Sequence, residues 1–291
     1  MARIKFTVFT LIALCGWVIS SCGGGDDSEL TDVPLDTGEI SLEDDFFESM
    51  DEDYHLPSPL QVASIFKKSG LEFNSDAPNK TVTASEYTDE LKQMLNFGVY
   101  SADMAYCVLN EQANTGRQYL TVITELAGKI GMEAVFENED LMKRFDANME
   151  NKDSIEILMI DIHERTENYM EENDMQHTSA IHFAGAWTEG MYLGVYDYEH
   201  NPGKEGVGAQ LTEQMAILGN IIKGLKDPRN GGTDLGWVIS SLENIQNTFN
   251  GFESVSAFYE DESADELVLT KDEVDTLGAL IKELRAKIIT A

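Results

Sequence analysis

Two short runs in this chain place a carboxylate and a phenol three residues apart: Asp103 with Tyr106, and Glu189 with Tyr192. On a helix, positions three apart are neighbours on one face. If the two helices pack together, two carboxylates and two tyrosines converge, with Trp187, Tyr100, Tyr196 and Tyr198 close in sequence. A pocket of carboxylates and aromatic rings suits a cationic or sugar-like ligand. The ligand-binding candidates are therefore Asp103, Tyr106, Trp187, Glu189 and Tyr192. Asp103 and Glu189 could also carry a metal- or carboxylate-dependent hydrolysis. The structural alternative is an acid accepting a hydrogen bond from its own tyrosine. Neither residue type nor spacing demands more than packing.

Other patterns with chemical content are sparse. The histidines are His55, His163, His177, His182 and His200, and none belongs to an HExxH motif. Asp174 with His177 and His163 with Glu167 each share a helical face, but a firm metal site needs three or four convergent ligands. Exposed surface residues are the expectation for these pairs, with no metal and no cofactor. The run Gly203-Lys204-Glu205-Gly206-Val207-Gly208 lacks the Lys-Ser/Thr ending of a phosphate loop, and no strand precedes it. No GxSxG and no cysteine–histidine constellation occurs. No catalytic residue is expected. Cys107 lies in the apolar run Met104 to Leu109, where a thiol packs as a small hydrophobe.

The elements that must position these residues are helices. Apolar residues recur at threes and fours through most of the chain, and no convincing period-two alternation appears. Ser58 and Pro59 predict a helix start. Thr83 with Glu86, Asp153 with Glu156, and Thr270 with Glu273 have capping-box spacing and predict three more. Further stripes run through Tyr119–Ile130, Ile181–Val195, Leu211–Leu225 and Trp237–Phe249. The fold class is all-α, a multi-helix bundle of antiparallel helical hairpins.

Two segments also match each other. Phe97–Tyr106 reads FGVYSADMAY and Phe183–Tyr192 reads FAGAWTEGMY, so Asp103 aligns with Glu189 and Tyr106 with Tyr192. Each is followed by a loop and a second amphipathic stripe, Tyr119–Ile130 and Leu211–Ile222. The match predicts a two-fold internal duplication, with small residues at Gly98, Ala102 and Ala184 letting the backbones approach.

The first residues carry a different signal. Arg3 and Lys5 precede an apolar stretch, Phe6 to Ile19, shorter than the roughly 20 residues of a spanning helix. Ser20, Ser21 and Cys22 follow. This arrangement resembles the signal peptide and lipobox of a bacterial lipoprotein, and beyond it the chain loosely resembles uncharacterised helical lipoproteins of Bacteroidetes-type bacteria. The resemblance implies a diacylglycerol thioether and an N-acyl chain on Cys22, and several acyl chains anchor stably where one is marginal. It implies a lipid bilayer as a partner. Gly23 after the cysteine, where aspartate would retain the protein in the inner membrane, implies the outer membrane, on its periplasmic or cell-surface face. The acids Asp26, Asp27 and Glu29 resemble a surface-export signal.

Residues 1–21 are thus expected to be a signal peptide, 22–55 a lipidated acidic disordered tether without lysine or arginine, and 56–291 a helical globular domain. Loss of the signal removes two basic residues, so the formal charge moves from −33 to about −35. Such a surface repels nucleic acid. With Cys15 lost and Cys22 acylated, Cys107 has no disulfide partner. The functional expectation is a membrane-anchored envelope lipoprotein acting as a non-catalytic binding or scaffold module, with an envelope protein or small ligand as partner.

Overall fold

The protein is described by a computed structural model, covering residues 56–136, 139–201, 205–261 and 267–290. Cys22, the signal, the acidic tether and His55 lie outside the described residues. Twelve α-helices make up the bundle among those residues: α1 (Pro59–Lys68), α2 (Glu90–Leu109), α3 (Ala113–Lys129), α4 (Glu133–Phe136), α5 (Glu139–Ala147), α6 (Lys152–Glu172), α7 (Ser179–His200), α8 (Glu205–Glu213), α9 (Leu218–Leu225), α10 (Gly236–Asn250), α11 (Glu253–Glu260) and α12 (Lys271–Ile289). No strand occurs among them, so the all-α expectation is met. No helix there is long and apolar enough to cross a membrane.

Local capping explains the helix starts. Ser58 and Gln61 form a reciprocal capping box before Pro59, at 2.7 and 3.2 Å. Thr270 and Glu273 do the same for α12. The other two expected boxes fail because a better placed acceptor competes. Residues Thr81–Glu86 form a 3₁₀ turn instead, and α2 starts at Glu90, capped by Asp89 accepting from Lys92 N at 2.9 Å. Helix α6 is capped by Asn151 accepting from Ser154 N at 3.1 Å. That leaves Asp153 inside the first turn, where its charge favours the positive helix end.

Helices α2 and α7 form the centre, packed on one another, with α1 and α12 touching both. Helices α3 and α6 flank α2, and α8 and α9 flank α7. Both central helices are buried on nearly every face, as all-round apolar helices must be. Their crossing is unusually tight. A Cβ at Gly98 would sit 1.8 Å from the His182 carbonyl oxygen, and one at Gly185 would sit 1.9 Å from that of Leu95. Only glycine permits this approach at those two points.

The matched segments therefore meet. Leu95 lies by Gly185, Gly98 by Ala186 and Asp103 beside Glu189, so α2 and α7 run in the same direction. Helix α3 folds back on α2, with Gly116 against Val108 and Tyr119 against Tyr100. The counterpart after α7 is not one helix. The stripe Leu211–Ile222 is split into α8 and α9 by a 3₁₀ turn, Gln214–Ile217. At that break the Trp187 indole N–H donates to the Gln214 carbonyl at 3.2 Å.

Candidate functional site

Asp103 and Glu189 sit on the facing surfaces of α2 and α7, both at 0 % exposure. The third member comes from α12. Arg285, 8 % exposed, grips Glu189 with two parallel hydrogen bonds, Nε to Oε2 at 2.6 Å and Nη2 to Oε1 at 2.8 Å. This bidentate fork is the strong form of an ion pair. The Tyr192 ring stacks on the guanidinium, 3.8 Å from its carbon.

Asp103 is held differently. Its Oδ2 accepts from Asn79 N at 3.1 Å, while Oδ1 finds no protein donor. Glu189 lies close by across the α2–α7 contact, near enough for its charge to act on Asp103. Burial, then the Glu189 charge, raise Asp103 well above the usual carboxylate range, against the pull of Arg285 and the Asn79 amide.

The five sequence candidates thus divide. Asp103, Glu189 and Tyr192 come together. Tyr106 turns away, accepting from Asn74 N at 2.6 Å and donating to the Glu72 carbonyl at 3.0 Å, which fastens the loop after α1. Trp187 is fully buried at the 3₁₀ break. Neither tyrosine caps the acid three residues before it, so the simple acid–tyrosine pair is not what forms. Of the neighbouring aromatics, Tyr100 donates to the Lys80 carbonyl and Tyr196 stacks on His200, with ring centres 4.0 Å apart.

A second feature lies further toward the N-terminal ends of α2 and α7. Helices α2, α3, α6 and α7 and the chain entering α1 line a half-open cavity of about 210 Å³. Its wall is mainly apolar, with Phe97, Leu120, Ile123 and three methionines, Met104, Met159 and Met170. His182 of α7 lines it. That histidine is 7 % exposed, and neither ring nitrogen has a hydrogen-bond partner. Burial pushes it down to about 4, so the ring is neutral near pH 7. Phe97 contacts it edge-on at 5.2 Å. At the solvent side, His163 faces Glu167 across one turn of α6, at 3.6 Å.

Neither Asp103 nor Glu189 lines this cavity. Among the described residues, no three His, Cys, Asp or Glu side chains gather to hold a metal. Cys107 is fully buried, and burial followed by the Asp103 charge raises its thiol far above the usual range. No family model, no curated protein and no solved structure matches this chain.

The two residues that sequence reasoning missed were both visible as anomalies. Arg285 lies four residues after Ile281 and three before Ile288, on the core stripe of α12. A guanidinium there requires a buried acid. His182 lies beside Ile181 and three residues before Gly185, on the packed face of α7.

Proposed function

We propose that this chain is a lipid-anchored envelope protein whose helical domain binds a small apolar molecule without transforming it. One observation carries the binding reading: a pre-formed apolar cavity whose buried histidine has spent neither ring nitrogen. Pockets of this kind, apolar with few convergent polar groups, are the usual form of small-molecule sites. The anchor rests on the lipobox pattern at Cys22. The hydrolase reading finds no support in the geometry around Asp103 and Glu189. A general acid or base must reach substrate, and both carboxyls are fully buried, with Glu189 paired to Arg285 of α12.

The cavity is tested with toluene, following the methyl resonances of Met104, Met159 and Met170 by NMR. Saturable shifts of these three support the reading. Unchanged shifts at millimolar toluene refute it. The anchor is tested by mass spectrometry of the mature N-terminus, where a Cys22 without acyl chains would refute it.

A further inference from the structure

We propose that the cavity is closed by the chain's own acidic segment ahead of α1, which seats a phenyl ring of Phe46 or Phe47 among the wall methionines, so that an apolar ligand enters only by displacing it. This rests on the reading of the cavity as a binding site and names what governs access to it.

Position carries the first part. The cavity is half-open, and the lining residues that keep some solvent exposure, among them Leu56, Pro59, His163, Glu167 and Ser179, mark its rim. The chain enters α1 along that rim, from Leu56 to Pro59. Whatever precedes Leu56 therefore starts at the mouth. Phe47 lies nine residues upstream, a span of about 14 Å as a helix and at most about 30 Å when extended. Both phenylalanines are within reach of the opening.

The pattern of that segment carries the second part. It belongs to the stretch outside the described residues, so its sequence is what speaks. Between Cys22 and Leu56 the aromatic residues are Phe46, Phe47 and Tyr54, all close to the mouth. Leu42, Phe46, Met50 and Tyr54 recur at fours, and Phe47 stands three before Met50. At helical period they fall on one broad face, and Asp and Glu fill most of the positions between them. Ser41 with Asp44 has the capping spacing that opens such a helix. A plain acidic spacer needs no apolar stripe, whereas an amphipathic helix that lays its face against an apolar groove does. The acids then face water, where salt screens their repulsion from the acidic domain.

Fit carries the third. A cavity of about 150 Å³ accommodates benzene, so one of about 210 Å³ admits a phenyl ring while the backbone that bears it stays at the open mouth. Thioethers adapt to shape and make favourable contacts with aromatic rings, and Met104, Met159 and Met170 line the wall. A phenyl ring carries no polar atom, so it asks no hydrogen bond of this wall. Burying it favours the closed form by roughly ten- to a hundred-fold, and ordering the segment takes part of that back. An entering ligand loses the remaining factor, about ten-fold, in apparent affinity.

The test compares the purified mature protein with a Phe46→Ser/Phe47→Ser variant, altered only outside the described fold. The probe is toluene, with binding measured by calorimetry and by the Met104, Met159 and Met170 methyl shifts. Before toluene is added, ring protons of Phe46 or Phe47 should show nuclear Overhauser contacts to at least one of these methyls, and saturating toluene should abolish them. The variant should bind toluene about ten-fold tighter than wild type. Equal affinity in the two proteins, or wild type without ring–methyl contacts, overturns the closure and leaves the cavity reading standing. Contacts seen only between differently labelled chains mean that a second copy fills the cavity, and overturn closure by the chain's own segment. Toluene binding by neither protein overturns both readings.

Discussion

Substitution of Gly98 by alanine separates two opposed expectations. Seen as helix chemistry alone, Gly→Ala in the interior of α2 gains about 1 kcal/mol. The packing says otherwise. The added methyl would lie 1.8 Å from the His182 carbonyl oxygen and 2.8 Å from Ala186 N. An ordinary contact needs about 3.4 Å, so α2 and α7 must separate by more than an ångström. The obstacle is backbone, and no rotamer change relieves it. Overpacking of a core typically costs about 1–3 kcal/mol where side chains can yield. Here the displacement spreads along the most extensive helix contact in the molecule, so the cost belongs at or above the upper end. After the propensity gain is subtracted, a net loss of at least about 2 kcal/mol is expected. Gly128, in the last turn of α3, supplies the control, since an added Cβ there meets nothing within 4 Å. Gly128→Ala should be neutral or stabilising by up to about 1 kcal/mol. Urea unfolding followed by far-UV circular dichroism gives both values. A Gly98→Ala protein as stable as wild type would refute the close crossing, and with it the placement of His182.

The buried acids should respond unequally. Asp103→Asn keeps an acceptor for Asn79 N and is neutral beside Glu189, so urea unfolding at pH 7 should find it within about 1 kcal/mol of wild type, while Arg285→Met strands the Glu189 charge and should cost about 3–5 kcal/mol. Because the folded state holds the Asp103 proton more tightly than the unfolded chain, wild type should gain on Asp103→Asn as pH falls toward the ordinary carboxylate range; the reverse trend would deny the raised Asp103 carboxyl. His182 has the opposite sign. Its folded value of about 4 lies below the ordinary 6.5, so its contribution is complete above about pH 6.5 and is lost as pH falls toward 4. That loss amounts to roughly 3 kcal/mol, and the stability difference between wild type and His182→Leu across this window isolates it. Cys107 should react with a thiol reagent only at the rate of unfolding; fast labelling of the native protein would contradict its burial.

The helices were legible because each core stripe repeats at helical spacing, from Leu60 in α1 to Ile288 in α12. Start sites were legible only where the capping residue had no rival. Ser58 and Thr270 stand alone, whereas Asp89 and Asn151 outcompete the boxes read at Thr83 and Asp153. The convergence of Asp103 and Glu189 was anticipated by matching two segments, and the helices that carry them pack on each other with Leu95 by Gly185 and Gly98 by Ala186. What they do there did not follow. Their counter-charge comes from Arg285, 96 residues beyond Glu189 in sequence, and no local spacing encodes a contact that long. The cavity was hidden for the same reason, since its wall is assembled from five separate stretches of chain.

The two polar features belong to one seam. His182 and Glu189 are seven residues apart, two turns along the same face of α7, and Gly185 lies between them. The glycine crossing fixes how closely α2 and α7 approach at that point. Beyond it on one side, the ion pair fixes register. A slip of α12 by one turn, about 5.4 Å, would take Arg285 from Glu189 and leave both charges buried and unpaired. A buried pair of this kind adds little net stability over an apolar core, but it penalises every wrong alignment heavily. The cavity lies alongside the crossing, with Gly98, His182 and Ala186 in its wall. A cavity between freely sliding helices would close on its own methionines. The glycine crossing fixes α2 against α7, and the bidentate arginine fixes α12 against α7.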